Sequence, residues 1–344
     1  MNIRSLIDKL SKFKLEKLKI DRKDISLKRN DKIMDEGDFI SSKISNYINK
    51  ELKYKYTLSY RYKDNKIKVR YFRKSELKNI NKLLEIVINR IIFMMKITDT
   101  YKDVNMFIYD TPFKKKLPCK SFEKCKKNLS VDDINTGYSW SNNIVIYRKE
   151  ELLKLIIHEM IHLLDIDVKY EGNSNMKNKF LKSLCIESFN VLINESYVET
   201  WAIIIHMYIG LLEQKRNNYL NYEKYFKKTL LFNYNQVLKI LIFYNINNFE
   251  DILNGNGSCK RIIDFKMNLF SYHILKLLNL IIINKFIKRY SEKKLKNIIK
   301  KEYNFDEYIE YLSNNIGKMS KIINKKLLKY KKEKYNLSLK MSLN

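Results

Sequence analysis

Residues 152–164, LLKLIIHEMIHLL, carry two histidines and a glutamate within an otherwise apolar run. Ile156, Ile157, Met160, Leu163 and Leu164 require that this stretch be buried, and their spacing fits a helix. An unpartnered buried polar group costs roughly 2–7 kcal/mol, so His158, Glu159 and His162 need a common partner. Residues four apart lie about 40° from each other around a helix. The two imidazoles therefore share a face, and Glu159 sits on its shoulder. Two imidazoles so placed can hold one Zn²⁺ at about 2.0–2.1 Å. The glutamate beside them can take a proton from water that the metal has acidified toward a pKa of about 7. The chain has four histidines, His158, His162, His206 and His273, so half of them fall in this HExxH segment.

The rest of the pattern is mainly helical. Two prolines and seven glycines in 344 residues leave few breakers. Alternating apolar residues over Lys53–Arg73 predict a β-hairpin, with Asp64-Asn65 between the two runs. The spacing of Leu77, Ile80, Leu84, Val87, Ile88 and Ile91 predicts a helix over Glu76–Lys96. Val104–Tyr109 and Asn143–Tyr147 read as strands, separated by a lysine-rich loop that holds Pro112 and Pro118. Lys149–Asp165 is the motif helix, Lys169–Asn178 a polar linker and Leu181–Gln214 one long helix. Further helices are expected near 218–246, 259–289 and 291–330. The fold class is α+β. A basic region at 1–50 precedes a small lobe at 51–168, which holds a mixed sheet and the motif helix. A helical lobe at 169–330 follows, then a basic tail at 331–344, loosely ordered from Lys325.

A catalytic zinc takes three protein ligands and keeps one position open. Val168 stands where the metzincin pattern has its third histidine, which excludes that class. Asp165 lies one turn past His162, too far along the same helix to close a tetrahedral site, and is left a supporting place. Glu195 and Glu199 are four apart on an apolar helix, where two carboxylates facing one way need a cation or a donor between them. HExxH followed on a later helix by Asn194-Glu195 and Glu199 resembles the gluzincins, the thermolysin-like clan of zinc metallopeptidases. The resemblance spans roughly residues 140–205. It implies a Zn²⁺ cofactor on His158, His162 and Glu195, with Glu159 as general base and later proton donor. It also implies that Glu199 accepts a hydrogen bond from a ligand histidine. The 32 residues between His162 and Glu195 exceed the thermolysin-type gap, so Glu199 stays open as the third ligand. A zincin-like lobe is implied too, in which Asn143–Tyr147 is the edge strand packed on the motif helix and pairs with an extended peptide. The family uses a downstream oxyanion donor, for which Tyr272 and His273 are the candidates. Tyr138 and Trp140 are candidates for the border of the cleft. His206, about 16 Å along the helix from Glu195, is a core or interface histidine.

The net charge of +30 is spread along the chain, with 57 Lys, 11 Arg and a single alanine, Ala202. That profile is similar to what an AT-rich genome, such as that of a large DNA virus, places at solvated positions. It does not form a groove-matched stripe. The expected partner is a peptide or protein substrate, with nucleic acid less favoured. The alternative is a zincin scaffold without activity that binds nucleic acid or acidic partners. Cys119, Cys125, Cys185 and Cys259 form no CxxC pair and no disulfide framework, which points to a reducing compartment. No signal-peptide core is visible near Met1 and no apolar run reaches a membrane span. The expected location is the cytoplasm, that of a host if the chain is viral, or the virion.

Overall fold

Strand alternation organises the first half of the chain. The computed structural model describes residues 1–29, 40–120, 129–167, 174–186, 191–253, 268–292, 297–300, 303–330 and 336–342. Among them is a six-stranded mixed sheet: β1 (Ser26–Arg29), β2 (Tyr54–Tyr62), β3 (Asn65–Arg73), β4 (Val104–Tyr109), β5 (Gly137–Trp140) and β6 (Asn143–Ile146). Their spatial order is β1-β2-β3-β4-β6-β5. β2 and β3 form the hairpin, with Tyr56 opposite Tyr71 and Leu58 opposite Val69. β3 and β4 run parallel, so the chain between them must cross over, and helix Ile80–Thr98 makes the crossing. Successive side chains alternate faces. Leu58, Val69, Met106, Ile144 and Ile146 therefore meet helices Ile80–Thr98 and Leu152–Leu163 in the main core. Phe72, Tyr109 and Val145 point the other way, under helix Ser42–Glu51. The main apolar cluster is continuous from Leu6 to Leu339.

The architecture is thus α+β. Several local expectations are corrected. The N-terminal region contributes β1 as well as helices Ile3–Leu10 and Ser42–Glu51. The hairpin turns at Lys63-Asp64, with Lys63 at φ 53° and Asn65 already paired to Tyr62. Asn143–Ile146 is not an edge strand. Ser141, at φ 49°, folds Gly137–Trp140 back against it, so β5 is the edge. Gly137 permits that close fit: a Cβ there would strike the Val145 carbonyl and lie 2.9 Å from Leu155 Cδ2 on the motif helix.

The helix expected over Leu181–Gln214 is two helices, Asn175–Ser183 and Asn194–Glu213. The first ends where Cys185 adopts φ 53°, a left-handed conformation that closes a helix. The expected helix at 259–289 lies partly outside the described residues. Its remainder is a π-helical turn, Phe270–Leu275, then Lys276–Ile281 and Ile283–Tyr290, with a 94° bend between the last two. The helix expected from 291 begins at Phe305 and runs to Tyr330. Cys119 and Cys185 each take part in a disulfide, which is at odds with the reducing compartment inferred from cysteine spacing. Among the described residues no single helix is long and apolar enough to cross a membrane.

The tail is also more ordered than expected. Leu117 N–H donates to the Leu337 carbonyl at 2.8 Å, and Leu339 N–H to the Lys115 carbonyl at 3.1 Å. The Met341 and Ser342 N–H groups then donate to Glu151 Oε1 at 2.6 and 2.8 Å. Glu151 Oε2 lies 2.6 Å from Lys115 Nζ, and both side chains are buried. Burial alone would raise this carboxyl, but Lys115 and Lys154 outweigh it and hold it down at about 2. Removing one member of a buried pair leaves the other uncompensated, at a cost of about 3–5 kcal/mol. Glu151→Ala is expected to lose that much in urea denaturation. A loss of no more than about 1 kcal/mol, the level of an exposed pair, would contradict this account of the anchored tail.

Candidate metal centre

Two helices build the site. The motif helix Leu152–Leu163 packs against Asn194–Glu213, and their contacts run in opposite order along the two helices. Lys154 meets Glu199, His158 meets Glu199 and Glu195, and Asn194 lies beside Asp167, which follows His162. Glu195 falls in the first turn of its helix and Glu199 one turn further in.

The result is a triangle of ligand atoms. His158 Nε2 and His162 Nε2 are 3.2 Å apart, and Glu195 Oε2 lies 3.4 and 3.6 Å from them. The other ring nitrogens are turned outward. His162 Nδ1 is 2.7 Å from Asp167 Oδ2. His158 Nδ1 is 2.9 Å from Glu199 Oε1, the separation of a hydrogen bond though not its direction. With protons on both Nδ1 atoms, both Nε2 lone pairs converge on the Glu195 carboxylate. Glu195 Oε2 is itself buried and has no hydrogen-bond partner among the described residues.

One ligand atom from each of these three residues lies close enough to the other two that together they could hold a cation. A tetrahedral Zn²⁺ with bonds of about 2.0–2.2 Å sets its ligands about 3.2–3.6 Å apart. The three separations fall in that range, and these residues fit the ion. Glu199 lies on the far side of the His158 ring, outside the triangle. Without metal, the same geometry is satisfied by protonated imidazoles. Burial alone would lower His158, but the contacts with Glu195 and Glu199 outweigh it and hold the ring above its usual value. Burial opposes charge on His162 too, and Glu195 with Asp167 raises that ring further.

A cleft of about 730 Å³ opens over the triangle. Its walls include Glu159, Tyr272, Asn268, Leu192 and the edge strand β5. Tyr272 is half-buried, its ring centroid 6.2 Å from that of His158. Burial, then Glu195, Glu159 and Glu199, push its hydroxyl well above the usual range and keep it a donor. His273, the neighbouring candidate, does not line this cleft. It is buried behind it, where desolvation and the ammonium groups of Lys276, Lys115 and Lys154 keep the ring well below its usual value. Tyr138 and Trp140 do border the cleft, stacked with centroids 5.3 Å apart. Asp165 pairs with Lys102 at the rim. His206 is remote: its Nδ1 accepts from the buried Arg90 at 2.9 Å.

No family model, no curated protein and no solved structure matches this chain.

Two residues escaped the sequence reading. Asp167 reaches His162 because Asp165, at φ 53°, turns the chain back on the end of the motif helix. Helical spacing carries no trace of that turn. Lys154 did leave a signal, as a lysine one turn before His158 in an apolar helix.

A pH dependence follows. A histidine raised in the folded state stabilises the fold while it is charged. That contribution is full below its ordinary value of 6.5 and is lost as pH rises through the raised value. Metal-free protein is thus expected to melt at progressively lower temperature as pH rises above 6.5. Protein loaded with zinc, where a cation replaces the two protons, is expected not to. A metal-free melting temperature that stays flat or climbs over this window would rule out the imidazolium–carboxylate cluster.

Proposed function

We propose that this chain is a zinc-dependent peptidase of gluzincin type. Zn²⁺ would be held by His158, His162 and Glu195, leaving the fourth position open to the cleft. One observation carries the reading: two imidazole nitrogens and a carboxylate oxygen from two helices lie 3.2–3.6 Å from one another, the spacing of ligands around one ion. When bound, the ion supplies a Lewis acid that polarises a carbonyl and acidifies water.

The chain's own groups do the rest. Glu159 lines the cleft beside the triangle, where it serves as general base toward water and then returns the proton to the leaving amine. Tyr272 stays protonated in the same cleft and can donate to the oxyanion of the substrate carbonyl. Glu199 and Asp167 orient the two imidazoles from behind. β5 is the last strand of the sheet among the described residues and borders the cleft, a position that suits an extended peptide added as a further strand. A hairpin, crossover helix, strand, edge strand β5, inner strand β6 and motif helix, in that order, support a zincin-like arrangement of the lobe.

The test is hydrolysis of a fluorogenic peptide library by the full chain. Cleavage that stops with a zinc chelator and returns with added Zn²⁺ is the expected result. Cleavage indifferent to chelation, or none at full zinc occupancy, would contradict the reading.

A further inference from the structure

Behind the triangle lies a buried ionic cluster, of which the chemistry proposed above uses only Glu199. We propose that Lys154 is a positioning residue of the metal centre, acting on His158 only through Glu199. The inference rests on the zinc reading and concerns how this chain holds its ligand.

Lys154 and Glu199 are fully buried, with side chains 1% and 0% exposed. Lys154 Nζ donates to Glu199 Oε1 at 2.5 Å, and the same oxygen faces His158 Nδ1 at 2.9 Å. One carboxylate oxygen thus accepts the ammonium's hydrogen bond and stands within reach of the imidazole. Lys154 and His158 are one turn apart on one helix, so the helix itself fixes the distance between them. The opposite oxygen, Glu199 Oε2, is 3.9 Å from Lys276 Nζ, which already donates to the Met341 carbonyl at 3.1 Å. Without Lys154, the nearest ammonium pulls on the oxygen that faces away from His158. The carboxylate then turns from the ring, and the imidazole loses its anchor.

Burying an ammonium is expensive, and a well-packed apolar residue would usually serve stability as well or better. Lys154 takes no part in the cleft wall. Its geometry is explained by what it does to Glu199. Partners of metal ligands typically contribute about 10–100-fold to affinity.

The experiment is a double-mutant cycle read by zinc affinity, with a competing chelator, on protein whose fold is checked by circular dichroism. Lys154→Met and Glu199→Gln are each expected to weaken zinc about 10–100-fold. The double variant, in which both charges are gone, is expected to match Glu199→Gln within about threefold, because a group acting only through Glu199 has nothing left to act on. If Lys154→Met does not fold, comparing Glu199→Gln with the double variant decides the matter alone. Unchanged affinity in folded Lys154→Met would overturn the proposal, as would a double variant that loses the product of the two single effects. Ring ¹⁵N shifts of His158 in metal-free protein read the same contact without zinc. They should move on Lys154→Met, and identical shifts would also overturn it. Failure of the native chain to bind zinc would instead strike the metal reading, and the ¹⁵N measurement would still test the lysine.

Discussion

Alanine at His158 or His162 is expected to abolish zinc binding, while alanine at His206 or His273 leaves it intact. The contrast follows from where the four rings point. The Nε2 atoms of His158 and His162 stand 3.2 Å apart and face the Glu195 carboxylate. His206 accepts from Arg90, and His273 faces Lys276, Lys115 and Lys154 behind the cleft. Removing a true ligand should weaken zinc by more than the roughly 10–100-fold that loss of a ligand's partner costs. The two glutamates separate on the same scale. Glu195→Ala belongs with the ligand variants, and Glu199→Ala with the partner variants. Elemental analysis and chelator competition on folded protein read both comparisons. Full zinc in His158→Ala, or a larger loss in Glu199→Ala than in Glu195→Ala, would contradict the assignment.

Glu159→Gln is expected to retain zinc and lose about 10²–10⁴-fold in kcat, the usual contribution of a general base. Glu159 is buried at the floor of the cleft and lies outside the ligand triangle. Glutamine has nearly the same shape and can keep hydrogen bonds, but it cannot accept a proton from water. The loss should fall on kcat with KM little changed, because the substitution leaves the proposed peptide-binding edge at β5 untouched. Steady-state kinetics with zinc content measured on the same preparation distinguish this from metal loss. Equal kcat in native and variant enzyme would remove Glu159 from the reaction. Lower kcat matched by lower zinc content would make it a ligand instead.

The sequence carried the site further than it carried the fold. Helical periodicity is a local property, so the shared face of His158 and His162 and the pairing of Glu195 with Glu199 could be seen in spacing alone. The hairpin and the crossover helix were legible for the same reason. What was lost depended on backbone turns that leave little compositional trace. Ser141, Asp165 and Cys185 adopt positive φ without being glycine. Each redirects the chain, and with it went the identity of the edge strand, the reach of Asp167 and the break in the long helix. The C-terminal segment was misjudged because its anchor, Glu151, lies far away in sequence. The choice between Tyr272 and His273 needed a helix phase that a π-helical turn alters.

The central claim is that one metal ion sits in the triangle. The most direct measurement is anomalous diffraction at the zinc edge from crystals of zinc-loaded protein. A single peak about 2.0–2.2 Å from His158 Nε2, His162 Nε2 and a Glu195 oxygen is expected. A map with no peak there, or a peak ligated by Glu199 in place of Glu195, would contradict it.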